Sequence, residues 1–444
     1  MSSAPELKRI LTPAMIWGLG VGYVISGNYF GWNLGLEQGG TLGLAIATAF
    51  VIVMYITFTF SYAELACAVP KAGGAFDYAT RSLGADIGFI TGMAQNIEFI
   101  FAPPAIAFGI GSYLNLFFPS LPAVFFSISA YFIFTALNIY GLKAAAVFEL
   151  LVTTVAVGGL LLFSGIALPH FELSNLGLNS LPHGISGIFA AIPFAIWFFL
   201  GIEGVANLAE EARDPKHAMS RGFLLTLFTL VGVCILTFTS ATGVAGWEAV
   251  VYLPDGGASD SPLPMAIQQL TGAKRWQYEM LVVIGLFGLV ASFNGLMLAA
   301  GRSSFEFGRV MAGSPFLGRI HPRFKTPANA LLVNMGIGIL ALLTGRTAEI
   351  ITISVFGALT LYCISMIALI ALRKKEPGLD RPFRVPFFPY FPIIAFVIAG
   401  VALVAVAIYN LTLCLLYLLI IGVCFGIFKV RNKLLISHDS ESDS

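Results

Sequence analysis

The sequence predicts an all-α membrane protein with about twelve transmembrane helices. Of its 444 residues, 58% are hydrophobic and 11% are charged, whereas soluble domains are roughly 25% charged. The apolar residues form repeated runs close to the roughly 20 residues that a helix needs to cross the hydrocarbon core. Basic residues gather on one side of these runs. Because a surface this apolar cannot be solvated by water, the expected surroundings are a lipid bilayer.

The apolar runs divide the chain into twelve predicted spans: residues 13–36, 42–68, 87–118, 121–140, 144–168, 185–212, 219–245, 278–305, 328–343, 350–372, 390–409 and 411–428. Only Asn410 separates the last two, so eleven helices remain an alternative. No polar segment is long enough to build a second core, and we expect one transmembrane domain over residues 1–436. Residues 437–444 contain no apolar side chain, which predicts a disordered cytoplasmic tail.

The distribution of charge predicts the topology. When the twelve spans are threaded in order, 21 of the 24 Lys and Arg residues lie on the side of the N-terminus. Only Lys274, Arg275 and Arg346 lie on the opposite side. Cells retain the basic residues of short loops in the cytoplasm. We therefore predict a multi-pass protein of the cell (plasma or inner) membrane with both termini cytoplasmic.

Little in the sequence supports an enzyme or a nucleic-acid-binding protein. The formal net charge is only +1, the five cysteines stand singly in apolar stretches, and none of the five histidines lies inside a predicted span. The HExxH and GxSxG motifs are missing, as is any cysteine spacing typical of zinc sites or disulfide frameworks. We expect a membrane transporter rather than an enzyme, with no cofactor, no metal and no nucleic-acid partner.

Two predicted helices contain a glycine-bearing interruption near mid-membrane. The first helix enters at Pro13 and reaches residues 26–28 (Ser-Gly-Asn) after about 13 residues, or roughly 20 Å. The sixth enters near residue 185 and reaches residues 199–201 (Phe-Leu-Gly) at a similar depth. Secondary transporters often hold substrate between two such interruptions, one in each of two inverted repeats. Helices 1–5 and 6–10 would be the repeats, and helices 11 and 12 additions. Packing is the alternative, since glycines recur at spacings of four or five residues from Gly18 to Gly35.

Two acidic residues, Glu98 and Glu203, fall at membrane depth, where an uncompensated carboxylate is costly. Glu98, in the third span, is interpreted as a counter-ion to a bound ammonium, as a protonated acid bonded to a neighbouring helix, or as a proton relay. Glu203 follows the second interruption and either joins the two parts of its helix or titrates during transport. Trp197, one turn before Gly201, offers an aromatic face to an ammonium or packs against its neighbours.

Four further acids fall near predicted helix ends on the basic side. They are Glu64, Glu149, Glu210 and Glu211. Lys71, Lys143 and Arg213 lie within reach of them. We expect solvated ion pairs, which contribute little to stability, and we assign these acids no transport chemistry.

Several segments resemble the amino acid–polyamine–organocation carriers. Residues 197–203 (Trp-Phe-Phe-Leu-Gly-Ile-Glu), which lead into 211–216 (Glu-Ala-Arg-Asp-Pro-Lys), are similar to the sixth helix of that family. The further segments that resemble it are residues 62–65, 70–74, 292–302 and 322–327, so the resemblance covers nearly the whole chain. Within the family, residues 22–33 and 36–40 resemble the ethanolamine permeases.

The resemblance implies an inverted-repeat fold with substrate held between helices 1, 3, 6, 8 and 10, Trp197 shielding the site and Glu203 near the coupling machinery. Amino acid carriers of the family usually have Gly-Ser-Gly at the first interruption, where helix-end amides receive the substrate carboxylate. Here the triplet is Ser-Gly-Asn. Asn28 takes up room, and Glu98 adds negative charge provided that it faces the cavity despite the prolines at 103 and 104. Both changes disfavour a carboxylate and suit an amino alcohol.

The predicted function is alternating-access import of ethanolamine, or of a similarly small amine, with protons as the coupling ion. An amino acid permease or exchanger on the same fold remains open, and a membrane sensor or channel is a remoter alternative. The predicted coupling residues are Glu98 and Glu203. The candidate substrate-binding residues are Ser26, Gly27, Asn28, Tyr29, Gln95, Glu98, Trp197, Phe199, Gly201, Ser292 and Asn294.

Overall fold

The computed structural model describes residues 9–71, 73–140, 145–253, 256–270, 275–310 and 316–442, with side chains up to residue 431 apart from those of 145, 146 and 310. Within these ranges nearly every segment is helical, and there are isolated β-bridges but no strand. The α-helices are α1 Pro13–Val24, α2 Ser26–Tyr29, α3 Leu34–Ala68, α4 Ala75–Leu83, α5 Ala85–Asn115, α6 Ala123–Tyr140, α7 Ala145–Ala167, α8 Leu173–Gly177, α9 Gly184–Ala190, α10 Ile192–Trp197, α11 Pro215–Ala245, α12 Pro262–Gln268, α13 Arg275–Val310, α14 Ala328–Leu342, α15 Thr347–Lys375, α16 Tyr390–Tyr409 and α17 Leu411–Ser442. The 3₁₀ helices are Leu168–His170, Ile202–Glu211 and Glu248–Val250.

The helices confirm the prediction of an all-α membrane protein. Ten helices in the described ranges are long and apolar enough to cross a membrane, and two shorter apolar helices, Pro13–Val24 and Ala328–Leu342, accompany them. Each predicted span overlaps one of these helices. α3 includes the end of the first predicted span as well as the second. The chain bends within α3 at Gly40, whose φ is 62°. A Cβ there would stand 2.5 Å from the carbonyl oxygen of Ser180, which explains the glycine.

The first interruption opens a few residues later than predicted. α1 and α2 join at Ile25, which keeps right-handed helical angles, so residues 26–28 are helical rather than open. The chain leaves the helix at Phe30, which is extended, and at Gly31, whose φ is 85°. Glycine reaches this left-handed region at little steric cost. The side chain of Asn33 accepts a hydrogen bond from the Gly31 N–H at 3.1 Å and so closes the turn.

The second interruption falls where the sequence predicts it. α10 ends at Trp197, Gly201 has a φ of 97°, and the chain continues as the 3₁₀ helix Ile202–Glu211. Proline at the start of α10 lacks a backbone donor, and α9 ends just before it. The sixth predicted span is thus built from three short helical pieces. The last of them has the tighter 3₁₀ form, which is rarely this long.

Ion pairs gather at one end of the bundle, which we call the basic end and define by Arg81, Lys216, Arg302, Arg373 and Lys429. They correct two predicted pairings. Glu64 does not form a solvated pair with Lys71: it is fully buried and accepts two hydrogen bonds from Arg373, at 2.6 and 2.8 Å. Glu211 pairs with Arg302 at 3.2 Å rather than with Arg213. The bidentate geometry explains the first case, because a guanidinium matches a carboxylate better than an ammonium does.

At the opposite end, the loop between α11 and α12 lies over the first interruption. The amide of Asn33 donates to the carbonyl oxygens of Ser259, at 2.7 Å, and Val250, at 3.3 Å. Thr347, at the start of α15, donates to the carboxylate of Asp260 at 3.2 Å. This loop therefore connects the first interruption to α15.

The last helix is longer than its predicted span of 411–428. It continues to Ser442 and so includes residues 437–442, for which the composition predicts disorder. Extending an existing helix adds one backbone hydrogen bond for each residue, whereas starting one is costly. No glycine or proline follows residue 426 to end the helix.

Candidate functional site

The two interruptions are in direct contact. The indole Nε1 of Trp197 donates a hydrogen bond to the carbonyl oxygen of Phe30 at 3.0 Å. The two rings meet edge to face with 5.8 Å between their centroids. A Cβ on Gly27 would overlap the carbonyl oxygen of Trp197, and a Cβ on Gly31 would overlap its indole. Both glycines are therefore required by the close approach of the two chain segments.

Ser292 of α13 completes the hydrogen bonding of the first interruption. In a regular helix the N–H of Ser26 would donate to the carbonyl oxygen of Gly22. Here the Ser26 N–H donates to Ser292 Oγ at 3.0 Å, and the Ser292 hydroxyl donates to Gly22 O at 2.5 Å. A side chain inserted in this way is a known cause of local bending. α13 thereby fixes the junction between α1 and α2.

Two acidic side chains meet beside the second interruption. The carboxyl groups of Glu98 and Glu203 lie close enough to interact electrostatically, and the residues are 0% and 2% exposed. The N–H of Gly201 lies close to both carboxyl groups. Tyr362 donates to Glu203 Oε2 at 2.8 Å, and its hydroxyl is 3.0 Å from that of Tyr55. We call Glu98, Glu203, Tyr362 and Tyr55 the acidic cluster; they come from α5, the sixth span, α15 and α3.

The carboxyl groups of the acidic cluster are only partly hydrogen-bonded, and no basic side chain in the described part of the chain balances their charge. Two carboxylates cannot bond to each other unless one carries a proton, and a charge at membrane depth needs a partner. Among the described residues, no hydrogen bond of ordinary geometry reaches either carboxyl oxygen of Glu98 or Oε1 of Glu203. Neither side-chain amide atom of the buried Asn28 has a partner there. Because buried polar groups are normally satisfied, the arrangement suits a small cation that also forms hydrogen bonds.

Most of the predicted binding residues lie at the two interruptions. Ser26, Gly27, Asn28, Trp197, Phe199 and Gly201 form or flank them, and Glu98 and Ser292 pack against them. Gln95 lies one turn before Glu98 and bonds to Ser303 at 3.3 Å, on the side of the basic end.

Two predicted residues point elsewhere. The hydroxyl of Tyr29 donates to the carbonyl oxygen of Ala156 on α7 at 2.6 Å. Asn294 accepts a hydrogen bond from Asn138 on α6 at 3.1 Å. Asn294 follows Ser292 by two residues, which on an α-helix is a rotation of roughly 200°. It therefore cannot face the first interruption together with Ser292.

Several residues of the site were not predicted from the sequence. Tyr55 and Tyr362 belong to the acidic cluster, and Ser354 on α15 donates to the backbone carbonyl of Glu98 at 2.8 Å. Asn33 closes the first interruption, as described above. The available signal was the family resemblance, which implied that the tenth helix lines the site. Ser354 and Tyr362 are polar side chains inside that apolar span.

The candidate site is closed in this structure, since Ser26, Asn28, Glu98 and Trp197 are at most 3% exposed. A cavity of about 540 Å³ opens at the basic end and is lined by charged side chains of both signs. Asp77 is one of them: its burial raises the pKa of its carboxyl, an effect that nearby Lys71 opposes. Gln95 lies in a smaller neighbouring cavity that shares Phe76 with the large one. The described residues contain no group of His, Cys, Asp or Glu side chains placed to hold a metal ion.

Comparison with known proteins places this architecture in a family. The profile of the family described as amino acid permease matches residues 15–437. The chain is 28% identical over 423 residues to an uncharacterised transporter of Rhizobium meliloti, covering 91% of this chain and 89% of the relative. It is 24% identical over 417 residues to a branched-chain amino acid permease of Bacillus subtilis, covering 88% and 86%. It is 27% identical over 405 residues to a low-affinity putrescine importer of Escherichia coli, covering 87% of each.

These relatives are named as transporters or permeases, not as enzymes. The family match covers nearly the whole chain. The apolar helices and the two contacting interruptions have the form that secondary transporters use to bind small solutes. The chain therefore belongs to the amino acid permease family, and it is a secondary transporter of the amino acid–polyamine–organocation superfamily.

Proposed function

We propose that this protein imports ethanolamine, or another small amine, by alternating access coupled to protons. The observation that supports this most directly is the pairing of Glu98 with Glu203 beside the second interruption. In the described part of the chain, the groups that interact with this pair include hydrogen-bond donors but no Lys, Arg or His side chain. A carboxylate without a fixed basic partner is free to bind a cationic ligand.

The ligand chemistry follows from the pair and from side chains of the two interruptions. An ammonium group would supply the missing positive charge and three donors to the carboxyl oxygens. Trp197 would place an aromatic face next to the cation. The amide of Asn28, which has no partner among the described residues, would bond to the hydroxyl of an amino alcohol. A substrate carboxylate would instead meet two acids, which disfavours amino acids.

Proton coupling follows from the same geometry. In the empty site a proton shared between Glu98 and Glu203 lowers the cost of placing two acids together. An ammonium that binds to Glu98 leaves this proton on Glu203, so that substrate and proton occupy the site together. In the proposed cycle, substrate and proton enter from outside, and both leave when the site opens to the cytoplasm. Glu203 is the proposed coupling residue, because Tyr362 and the Gly201 N–H already solvate its charge.

The proposed topology puts the basic end in the cytoplasm, in agreement with the positive-inside rule. Residues 1–436 form the transport domain, with helices 1–5 and 6–10 as inverted repeats and helices 11 and 12 as additions. The cavity at the basic end is then the cytoplasmic vestibule. Its closure involves the Glu211–Arg302 pair and the N–H groups of Ile10 and Leu11, which donate to the Glu211 carbonyl oxygen.

An amino acid permease is the second candidate function. The names of relatives support it, since one is a branched-chain amino acid permease. Main-chain N–H groups at helix interruptions also suit carboxylates. Asn28 and the acidic cluster oppose it, because they reduce room and add negative charge where a carboxylate would lie.

The proposal is tested by uptake into proteoliposomes. Labelled ethanolamine is offered with an inward pH gradient or an inward sodium gradient, each imposed separately, and a panel of unlabelled amino acids serves as competitors. We expect saturable uptake that follows the pH gradient and is not reduced by amino acids. Uptake of a labelled amino acid that ethanolamine fails to inhibit would instead support the second candidate.

A further inference from the structure

Glu149 on α7 is a buried acid that the proposed mechanism does not use. Sequence analysis predicts a solvated pair with Lys143, which lies outside the described residues. The structure instead turns Glu149 towards α1, with 3% exposure. A Cβ on Gly22 would stand 2.6 Å from Glu149 Oε1 and 2.8 Å from Thr153 Oγ1. The carboxyl group therefore packs against the backbone of α1.

The Glu149 carboxyl is incompletely hydrogen-bonded. Its Oε1 atom has no hydrogen-bond partner among the described residues. Thr153, one turn later on the same face, donates to the Gly18 carbonyl oxygen at 2.9 Å. The Ser292 hydroxyl donates to the Gly22 carbonyl oxygen. The polar atoms of α1 that face this carboxyl are therefore already bonded to other groups.

Among the residues that the structure describes, no basic side chain compensates the Glu149 carboxyl. On α1 the neighbouring titratable side chain is Tyr23, which interacts electrostatically with Glu149, with Arg302 of α13 and with Glu211. Tyr23 cannot supply a positive charge, and among the described residues neither Arg302 nor any charged side chain on α11 acts on the Glu149 carboxyl. A carboxylate buried without a partner costs several kcal/mol. A neutral carboxylic acid in the same place avoids this cost.

We propose that Glu149 is a proton-binding site that controls the packing of α1 against α7. Protonated Glu149 allows α1 to lie against α7, as in this structure. When α1 moves away, water reaches the carboxylic acid, whose O–H bond breaks and releases a proton to water at the basic end. The carboxylate must take up a proton again before α1 can return. This inference rests on the proposed function in one respect, namely that α1 moves during the transport cycle.

The proton is favoured over a metal cation as the ligand. The oxygens identified at this place are Glu149 Oε1 and Thr153 Oγ1. The Gly18 and Gly22 carbonyl oxygens already accept hydrogen bonds from side chains. Sodium or calcium would need several more oxygen ligands. One proton needs only the carboxyl group.

The test measures hydrogen–deuterium exchange of residues 13–24 in full-length protein reconstituted in lipid nanodiscs, without substrate, at about pH 6 and pH 8. Exchange is corrected for its intrinsic pH dependence. An opening linked to one proton changes by up to about tenfold for each pH unit. In wild type we expect protection of α1 to fall at the higher pH. In Glu149→Gln, which imitates the neutral acid, we expect protection at both pH values.

Two further variants make the outcome decisive. Glu149→Asp keeps a titrating carboxyl and should keep the pH dependence, which separates titration from loss of packing if the Gln variant folds poorly. Glu172→Gln removes an exposed acid and should behave as wild type. Protection of α1 that is independent of pH in wild type, or a pH dependence that persists in Glu149→Gln, would overturn the proposal. Because substrate is not used, failure of the ethanolamine assignment leaves this result unaffected.

Discussion

Trp197 and Phe30 join the two interrupted helices through one hydrogen bond, from the indole Nε1 to a main-chain oxygen at 3.0 Å. The oxygen belongs to the extended residue at which the first helix opens. An unpaired carbonyl at that position would be buried and costly. The closed arrangement of the site therefore depends on a side chain of one interruption and the backbone of the other.

Trp197→Phe keeps an aromatic ring but removes this hydrogen bond. Leaving a buried acceptor without a donor costs about 1–3 kcal/mol, which corresponds to roughly 5- to 150-fold in an equilibrium constant. We expect the closed state to be less populated and the apparent affinity for ethanolamine to fall within that range. Equilibrium binding and uptake kinetics measure the change. Trp276→Phe, an exposed position, is the matched control, and an affinity equal to wild type in Trp197→Phe would contradict the role.

Ser292→Ala removes the hydroxyl between Ser26 and Gly22. We expect the Ser26 N–H to donate directly to the Gly22 carbonyl oxygen and the junction of α1 and α2 to straighten. Uptake should then fall roughly tenfold or more while the protein stays folded. Ser292→Thr keeps the hydroxyl and should retain more activity. Ser129→Ala removes a hydroxyl that bonds within its own helix and serves as the control. If Ser292→Ala transports at the wild-type rate, the inserted hydroxyl has no part in the site.

The fold was readable from the sequence because long apolar runs leave few choices in a membrane. A helix satisfies the hydrogen-bonding groups of its own backbone, so the apolar runs alone predict where the helices lie. The second interruption was also placed correctly, since Gly201 is the glycine that adopts a left-handed conformation there. The first was misplaced because two glycines, Gly27 and Gly31, fall in one stretch. Close packing requires the first of them, and only the second opens the chain.

The site was harder to predict because it is assembled from distant parts of the chain. Glu98 and Glu203 were recognised individually as costly at membrane depth, but nothing in their spacing shows that their carboxyl groups meet. Tyr362 was missed because a tyrosine in an apolar span is common and its hydroxyl gains meaning only beside Glu203. Glu149 was assigned to solvent because sequence position gives its depth but not the direction of its side chain.

Glu64→Gln should destabilise the protein by breaking the ion pair of Glu64 with Arg373 at the basic end. Arg373 then loses a fully buried bidentate partner, and breaking a buried pair typically costs about 3–5 kcal/mol; because Arg373 is partly exposed, we expect the lower part of that range. Denaturation in detergent measures the loss. The double variant Glu64→Gln with Arg373→Gln should recover part of it. Glu279→Gln, which breaks the exposed pair with Arg275, should change stability little, and an equal loss in both single variants would contradict the argument.

Asp260, in the loop over the first interruption, should make stability depend on pH. Partial burial raises the pKa of its carboxyl from 3.8 to about 6, although the hydrogen bond from Thr347 acts in the opposite direction. The native protein thus binds more protons than the unfolded chain between these values, and its stability falls as the pH rises from about 4 to about 6. Asp260→Asn should flatten this slope. Thermal unfolding in detergent across the interval tests it, and identical slopes in wild type and variant would contradict the prediction.

Glu98→Gln tests the role of the acidic cluster in binding. The change removes one of two adjacent acids without altering shape, so we expect the protein to remain folded and as stable as wild type. The ammonium of ethanolamine would lose its buried counter-ion, which typically costs 2–5 kcal/mol, or roughly 30-fold or more in affinity. Equilibrium binding of labelled ethanolamine, with Glu172→Gln as the exposed control, measures this loss. Unchanged affinity would mean that the ammonium binds elsewhere, and Glu203 would then be the remaining buried carboxylate at the interruptions able to receive it.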